Sequence, residues 1–167
     1  MFKFILKFFK KRTKKYMKQR KIDKAFLNIC VELSKLSKCV SHQVACLIVK
    51  DGRVISSGIN GTASGFKNCN EVFNKKKFVR KKHHEFSSMY EIHAEMNAIM
   101  SAAKNGIAID NSVAYCTLEP CFDCSKNLSM SGVKKIIYLK SYDLNLKADV
   151  KKRNDYLNAV NVILEKY

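Results

Sequence analysis

Two short stretches of the chain bring together residue types that hold a metal: His93-Ala94-Glu95 and Pro120-Cys121-Phe122-Asp123-Cys124. Thiolate and imidazole are donors that a tetrahedral zinc ion favours, and two cysteines three positions apart reach one ion from the start of a helix. His93, Cys121 and Cys124 make three protein ligands. Three leave the fourth position to water, the mark of a catalytic rather than a closed structural site. Zinc lowers the pKa of that water toward neutrality and makes hydroxide available. Glu95, two positions after the histidine, is placed to face the water and carry its proton to a substrate. Pro120, the single proline, fixes φ where the chain turns into Cys121. Either stretch alone is weak, because Cys-x-x-Cys also serves structural zinc and redox sites. Together, each at the start of an expected helix, they are specific.

The elements that must position these residues read as follows. Ile22, Phe26, Ile29, Leu33 and Leu36 recur at helical spacing, so 22–36 is an amphipathic helix. Val44–Val49 and Val54–Gly58 flank an Asp51-Gly52 turn and form a hairpin. From Gly58 to about Tyr90 the chain is polar and basic, too long for a simple connection, which implies a function or a staple. A second helix runs from Ile92 to about Lys104, stopped by Asn105-Gly106. Val113–Thr117 is a strand, Cys121–Ser131 a helix, and Lys135–Lys140 a strand. Asp149–Asn158 is helical and Val160–Leu164 a last strand. Alternating helices and strands give an α/β layer structure.

The chain has 32 Lys and Arg against 14 Asp and Glu. Ten of the basic residues and no acidic one fall within 1–21. Phe2, Phe4, Ile5, Leu6, Phe8 and Phe9 are interleaved with these lysines; the segment is a tail, a helix docked on its own domain, or a binder of anionic surfaces. It is too short to span a bilayer and lacks a signal peptide's long apolar run, and no transmembrane segment is expected. Seven cysteines, an odd number, with no secretory cleavage pattern argue for reduced thiols and an intracellular, cytoplasmic protein. Cys30, Cys46 and Cys116 fall on apolar faces and are expected in the core, while His42 reads as a surface residue.

The combined pattern is the signature of zinc deaminases. EIHAEMNAIMSAAKNG (Glu91–Gly106), SKCVSHQVACLIVKDGRVISSGINGTASG (Ser37–Gly65) and YCTLEPCFDCSKNLSMSGVKKIIYL (Tyr115–Leu139) further resemble deoxycytidylate deaminases, especially phage-type members, which convert dCMP to dUMP. The resemblance covers nearly everything from Lys21 onward, dividing the chain into a basic extension, 1–20, and a deaminase domain, 21–167. It implies a three-layer α/β/α cytidine deaminase-like fold with a central five-stranded mixed sheet, and assembly as a homo-oligomer, a hexamer in many members. It implies attack on the cytosine C4, Glu95 shuttling protons as ammonia leaves, with dUMP supplied for thymidylate synthesis.

Phage-type members hold a second zinc through residues matching Cys39, Cys69, His83 and Glu91. Two thiols, an imidazole and a carboxylate also form a closed tetrahedral set able to staple the long loop to the core; His84, next in the chain, can replace His83 in that register. Asn60 matches an asparagine that contacts the substrate, and Tyr142 a tyrosine near the nucleotide. Ser37 and Lys38 precede the first strand on the same side, where a lysine can meet a 5′-phosphate. Departures from the family pattern are Ile59 for an aromatic, Ala63 for a proline and Ala45 for a glycine; they fall in the region that carries dCTP and dTTP regulation in other members. The other readings are an adenosine or cytosine deaminase acting on RNA or DNA, encouraged by the basic tail, and a non-catalytic nucleotide or nucleic-acid binder that kept the zinc. The family-wide match opposes the former and the intact His93, Glu95, Cys121, Cys124 set opposes the latter, so no stable nucleic-acid partner is expected.

Overall fold

Asp51 and Gly52 adopt φ values of 51° and 74°, the paired left-handed residues that close a two-residue hairpin. They join β1 (Ala45–Lys50) to β2 (Arg53–Ile59). The computed structural model describes residues 2–142 and 147–167, with the side chains of 2–12 and 15 outside the described set. The choice among a tail, a docked helix and a binder of anionic surfaces turns on the side chains of Phe2, Phe4, Ile5, Leu6, Phe8 and Phe9, which lie outside the described residues.

Helix α1 (Phe2–Ser34) precedes the hairpin. Then follow β3 (Gly61–Thr62), α2 (Cys69–Val72), α3 (Arg80–Tyr90), β4 (Glu91–Ile92) and α4 (Ala94–Lys104). The chain continues as β5 (Val113–Leu118), α5 (Phe122–Met130), β6 (Lys135–Lys140), α6 (Lys147–Ala159) and β7 (Ile163–Lys166). The main sheet has five strands in the order β2-β1-β5-β6-β7. β1 runs antiparallel to both β2 and β5, whereas β5, β6 and β7 are parallel, so the sheet is mixed.

Alternation along the central strands divides the core between the two faces. Cys46 and Ile48 of β1, Ala114 and Cys116 of β5 and Ile136 of β6 pack with Ala98, Leu128 and Leu157 from α4, α5 and α6. Leu47, Val49, Tyr115 and Ile137 point the other way, onto Leu27 and Cys30 of α1. Because both faces are covered, β1 reads as an unbroken apolar run rather than an alternating one. Cys30, Cys46 and Cys116 lie in this core, as expected.

Three elements depart from the expected positions. Helix α1 begins at Phe2, and its buried stripe is Asp23, Leu27, Cys30 and Ser34, with Ile22, Ile29 and Leu36 exposed. The physical reason is a polar contact: Tyr115 Oη donates to Asp23 Oδ1 at 2.7 Å inside the core and sets which face of α1 turns inward. Helix α4 starts at Ala94 because Glu91 and Ile92 pair with Thr62 and Gly61. The last strand starts at Ile163 because α6 ends through Asn161, whose φ of 56° is a left-handed cap.

A single glycine sets how closely α4 meets the sheet. A Cβ on Gly58 would lie 2.3 Å from the Ala94 carbonyl oxygen and 2.4 Å from the Ala98 nitrogen. Ala94, Ala98 and Ala102 form a small-residue stripe facing it, and Ser56 Oγ donates to the Ala98 carbonyl at 2.6 Å. This close docking places the first turn of α4 beside the start of β1 and the end of β5. Among the described residues no helix is long and apolar enough to cross a membrane.

Candidate active site

Two helix N-termini converge where β5 ends. His93 is the N-cap of α4 and Cys121 the N-cap of α5. His93 Nδ1 lies 3.3 Å from Cys124 Sγ and 3.7 Å from Cys121 Sγ. The donor atoms of His93, Cys121 and Cys124 all fall within 4.8 Å of one another. Cys121 Sγ accepts a hydrogen bond from the Cys124 amide at 3.4 Å, so the helix terminus favours a thiolate there. The neighbouring Cys124 thiol, with help from His93, pulls the Cys121 thiol well below its usual range. The same contact, together with burial, pushes Cys124 up. His93 is pushed up to about 9 by its contact with Cys121.

Glu95 is buried in the first turn of α4, 4% exposed. Burial raises its carboxyl, opposed by its own backbone amide and by nearby His93. It lines, with His93 and Cys121, a cavity of about 380 Å³, within the range of small-molecule sites.

A second group adjoins the same cavity, which Cys39, His83 and Glu91 also line. The donor atoms of Cys39, Cys69, His83 and Glu91 also lie within 4.8 Å of one another. Cys39 Sγ is 3.5 Å from His83 Nε2 and donates to Glu91 Oε2 at 3.6 Å. Burial raises the thiols of both Cys39 and Cys69, the latter to about 12. Phe73 and Phe78 pack on the His83 ring with centroids 5.4 and 5.1 Å away. His83, not His84, joins the cysteines; both histidines line the cavity.

Both groups fit zinc. The first has two thiols and an imidazole with room on the cavity side, and the second is a closed set of four. In the second, Glu91 Oε1 is buried without a hydrogen-bond partner, an orphan that a cation would satisfy.

The remaining predicted residues divide. Asn60 and Tyr142 line the cavity. Asn60 is also a structural tie: its Oδ1 accepts from Ser37 Oγ at 2.7 Å and the Val44 amide at 2.8 Å, and its Nδ2 donates to the His42 carbonyl at 2.8 Å. His42, exposed as expected, meets the Tyr142 ring edge-on at 5.6 Å. Ser37 is buried behind Asn60, and it and Lys38 line a separate cavity with Lys35, Asn70 and Lys75. Among the described residues the Lys or Arg lining this cavity is Arg80, accompanied by His84 and Ser87. These three recur at i, i+4 and i+7 on α3. That spacing was the available signal, hidden because 58–90 reads as loop.

Comparison with known proteins agrees with this geometry. Residues 20–140 match the family described as the cytidine and deoxycytidylate deaminase zinc-binding region. Deoxycytidylate deaminase from enterobacteria phage T2 is 39% identical, the match covering 71% of this chain and 80% of that protein. Its counterpart from enterobacteria phage T4 is also 39% identical, over 71% and 78%. A crystal structure of dCMP deaminase from cyanophage S-TIM5, in complex with dCMP and dUMP, superposes with a TM-score of 0.70 at 32% identity, covering 88% of this chain and 97% of that one. The chain therefore belongs to the deoxycytidylate deaminase family, whose zinc-binding region it carries at residues 20–140.

Proposed function

We propose that the protein hydrolyses dCMP to dUMP and ammonia, supplying dUMP for thymidylate synthesis, with one zinc ion at His93, Cys121 and Cys124 and a second at Cys39, Cys69, His83 and Glu91. The observation that carries this reading is the convergence of two helix N-termini, a buried Glu95 and a cavity of about 380 Å³ at one point. A zinc ion bound by His93 and the two cysteines acts as a Lewis acid that lowers the pKa of water. Glu95 accepts the proton of the attacking water and delivers it to N3 of cytosine as the oxygen bonds to C4. It then takes the remaining proton from the C4 hydroxyl and passes it to the amino group; C4=O forms as the C4–N bond breaks, and ammonia leaves.

The cavity wall supports a nucleotide over a free base. Arg80, His84 and Ser87 project from one face of α3 onto it, a fork and two partners suited to a phosphate. Asn60 and Tyr142 border the same space and are the proposed contacts to base and sugar. On this reading Ser37 orients Asn60, and Lys38 contributes positive charge from the neighbouring cavity.

The deaminase domain occupies 21–167, with 1–20 an extension of it, a division supported by the start of the family match at residue 20. Assembly as a homo-oligomer belongs to the proposal and is supported by the exposure of Met89, Met100 and Met130. A cytoplasmic setting is supported by seven free cysteines. The family resemblance makes dCTP and dTTP the candidate regulators, while the departures at Ile59, Ala63 and Ala45 fall in the region that would carry their effect.

The test is to incubate the purified chain with dCMP, deoxycytidine, dCTP and an RNA hairpin while following ammonia, with and without added dCTP and dTTP. Turnover of dCMP above the other three is expected. Turnover of RNA without turnover of dCMP would overturn the assignment.

A further inference from the structure

Arg153 of α6 is 2% exposed, far from any expected role of a helix arginine. Its guanidinium forms a fork. Nη1 donates to the Pro120 carbonyl at 2.9 Å, and Nη2 donates to Glu119 Oε1. Nη2 and Nε also reach the Asn154 side-chain oxygen at 3.3 Å. Glu119 is itself 9% exposed, and its other oxygen, Oε2, accepts from the Tyr142 amide at 3.1 Å. Its backbone amide donates to the Lys140 carbonyl at 2.8 Å, continuing the β5–β6 pairing beyond Leu118.

We propose that Arg153 is a positioning residue for the active site, fixing the metal-binding turn and the Tyr142 wall through one guanidinium, an inference that rests on the deaminase reading. The bonds select the atoms adjoining the site. The Pro120 carbonyl belongs to the peptide unit that enters Cys121. Glu119 lines the catalytic cavity and holds the backbone of Tyr142, which lines it too. A buried ion pair is a poor way to gain stability, because desolvation offsets the attraction and a well-packed apolar pair serves as well. What the pair supplies is direction: a planar fork holds two acceptors in a set relation, which the point charge of a lysine does not. The turn bearing Cys121 then cannot shift without Tyr142 shifting with it.

The variants Arg153→Lys and Arg153→Met/Glu119→Gln test this. The first retains the charge and loses the fork, and the second removes the pair without stranding a buried carboxylate. Each is read by circular dichroism, by kcat and KM on dCMP, and by the ligand-field spectrum of the cobalt(II)-substituted protein. Native circular dichroism, a shifted cobalt spectrum and a kcat lowered about tenfold to a hundredfold are expected, with KM changed less. A wild-type cobalt spectrum in a folded variant overturns the proposal whatever its kcat. Failure of both variants to fold overturns it equally, since the pair would then be a stability element. A shifted spectrum in variants of a protein that does not turn over dCMP supports the positioning role and removes only the substrate reading.

Discussion

Glu91 and His93 stand two residues apart and belong to different candidate metal groups: Glu91 Oε2 accepts from Cys39 at 3.6 Å, while His93 Nδ1 lies 3.3 Å from Cys124. The link between them is the end of β4, held by the pairing of Glu91 with Thr62 and of Ile92 with Gly61. The two groups are therefore mechanically joined. Replacing Cys69 with Ser should lower bound zinc from about two ions per chain to about one and lower the melting temperature. Because β4 leads directly into His93, kcat should fall as well. Zinc analysis beside a kinetic assay checks this; one zinc per chain in the unaltered protein would remove the second site.

Glu95→Gln preserves the size and packing of a buried side chain while removing its capacity to carry a proton. The variant should keep its catalytic zinc and lose kcat by about 10²- to 10⁴-fold. Substantial turnover by a zinc-loaded variant would show that another group moves the proton.

Arg80 borders the cavity and belongs to neither candidate metal group. Arg80→Ala should raise KM for dCMP while leaving the activity on deoxycytidine, however small, nearly unchanged. A charged hydrogen bond contributes about 1.5–3 kcal/mol, so kcat/KM for dCMP should fall roughly tenfold to a hundredfold. An equal loss on both substrates would deny Arg80 a phosphate contact.

Gly58 tests the docking of α4. With a Cβ 2.3 Å from the Ala94 carbonyl oxygen, Gly58→Ala must push the helix away or strain β2. Overpacking of this kind costs roughly 1–3 kcal/mol, measurable by urea unfolding. As Ala94 directly follows His93, the variant should also release zinc faster to a chelator. Unchanged stability and release would mean that the helix yields freely.

The clustering of the candidate catalytic group was legible because its signals are local: His-x-Glu and Pro-Cys-x-x-Cys each fit within one turn of chain, and the helices behind them carry ordinary start signals. The hairpin was legible for the same reason, through Asp51-Gly52. Helix α3 was not. Its only buried residue is His83, so it has no apolar stripe for periodicity to reveal, and its place depends on Cys39, Cys69 and Glu91, remote in sequence. Arg80 stayed hidden with it. The Glu119–Arg153 pair was equally invisible, since 34 positions separate its members and nothing in the sequence near either one announces the other. The reading of α1 from apolar spacing found the helix but chose a stripe containing Ile22, Ile29 and Leu36, all exposed, because no periodicity argument anticipates a buried Asp23.

That aspartate does something a leucine could not. An apolar stripe slides by one turn along a sheet at little cost, since each side chain exchanges one greasy neighbour for another. Asp23 has Tyr115 as its partner across the core, and a slip of one turn, about 5.4 Å, would carry the carboxyl group away from that hydroxyl and leave it only the Gln19 amide of its own helix. The contact acts as a key in a keyway: α1 seats on the sheet in one register alone.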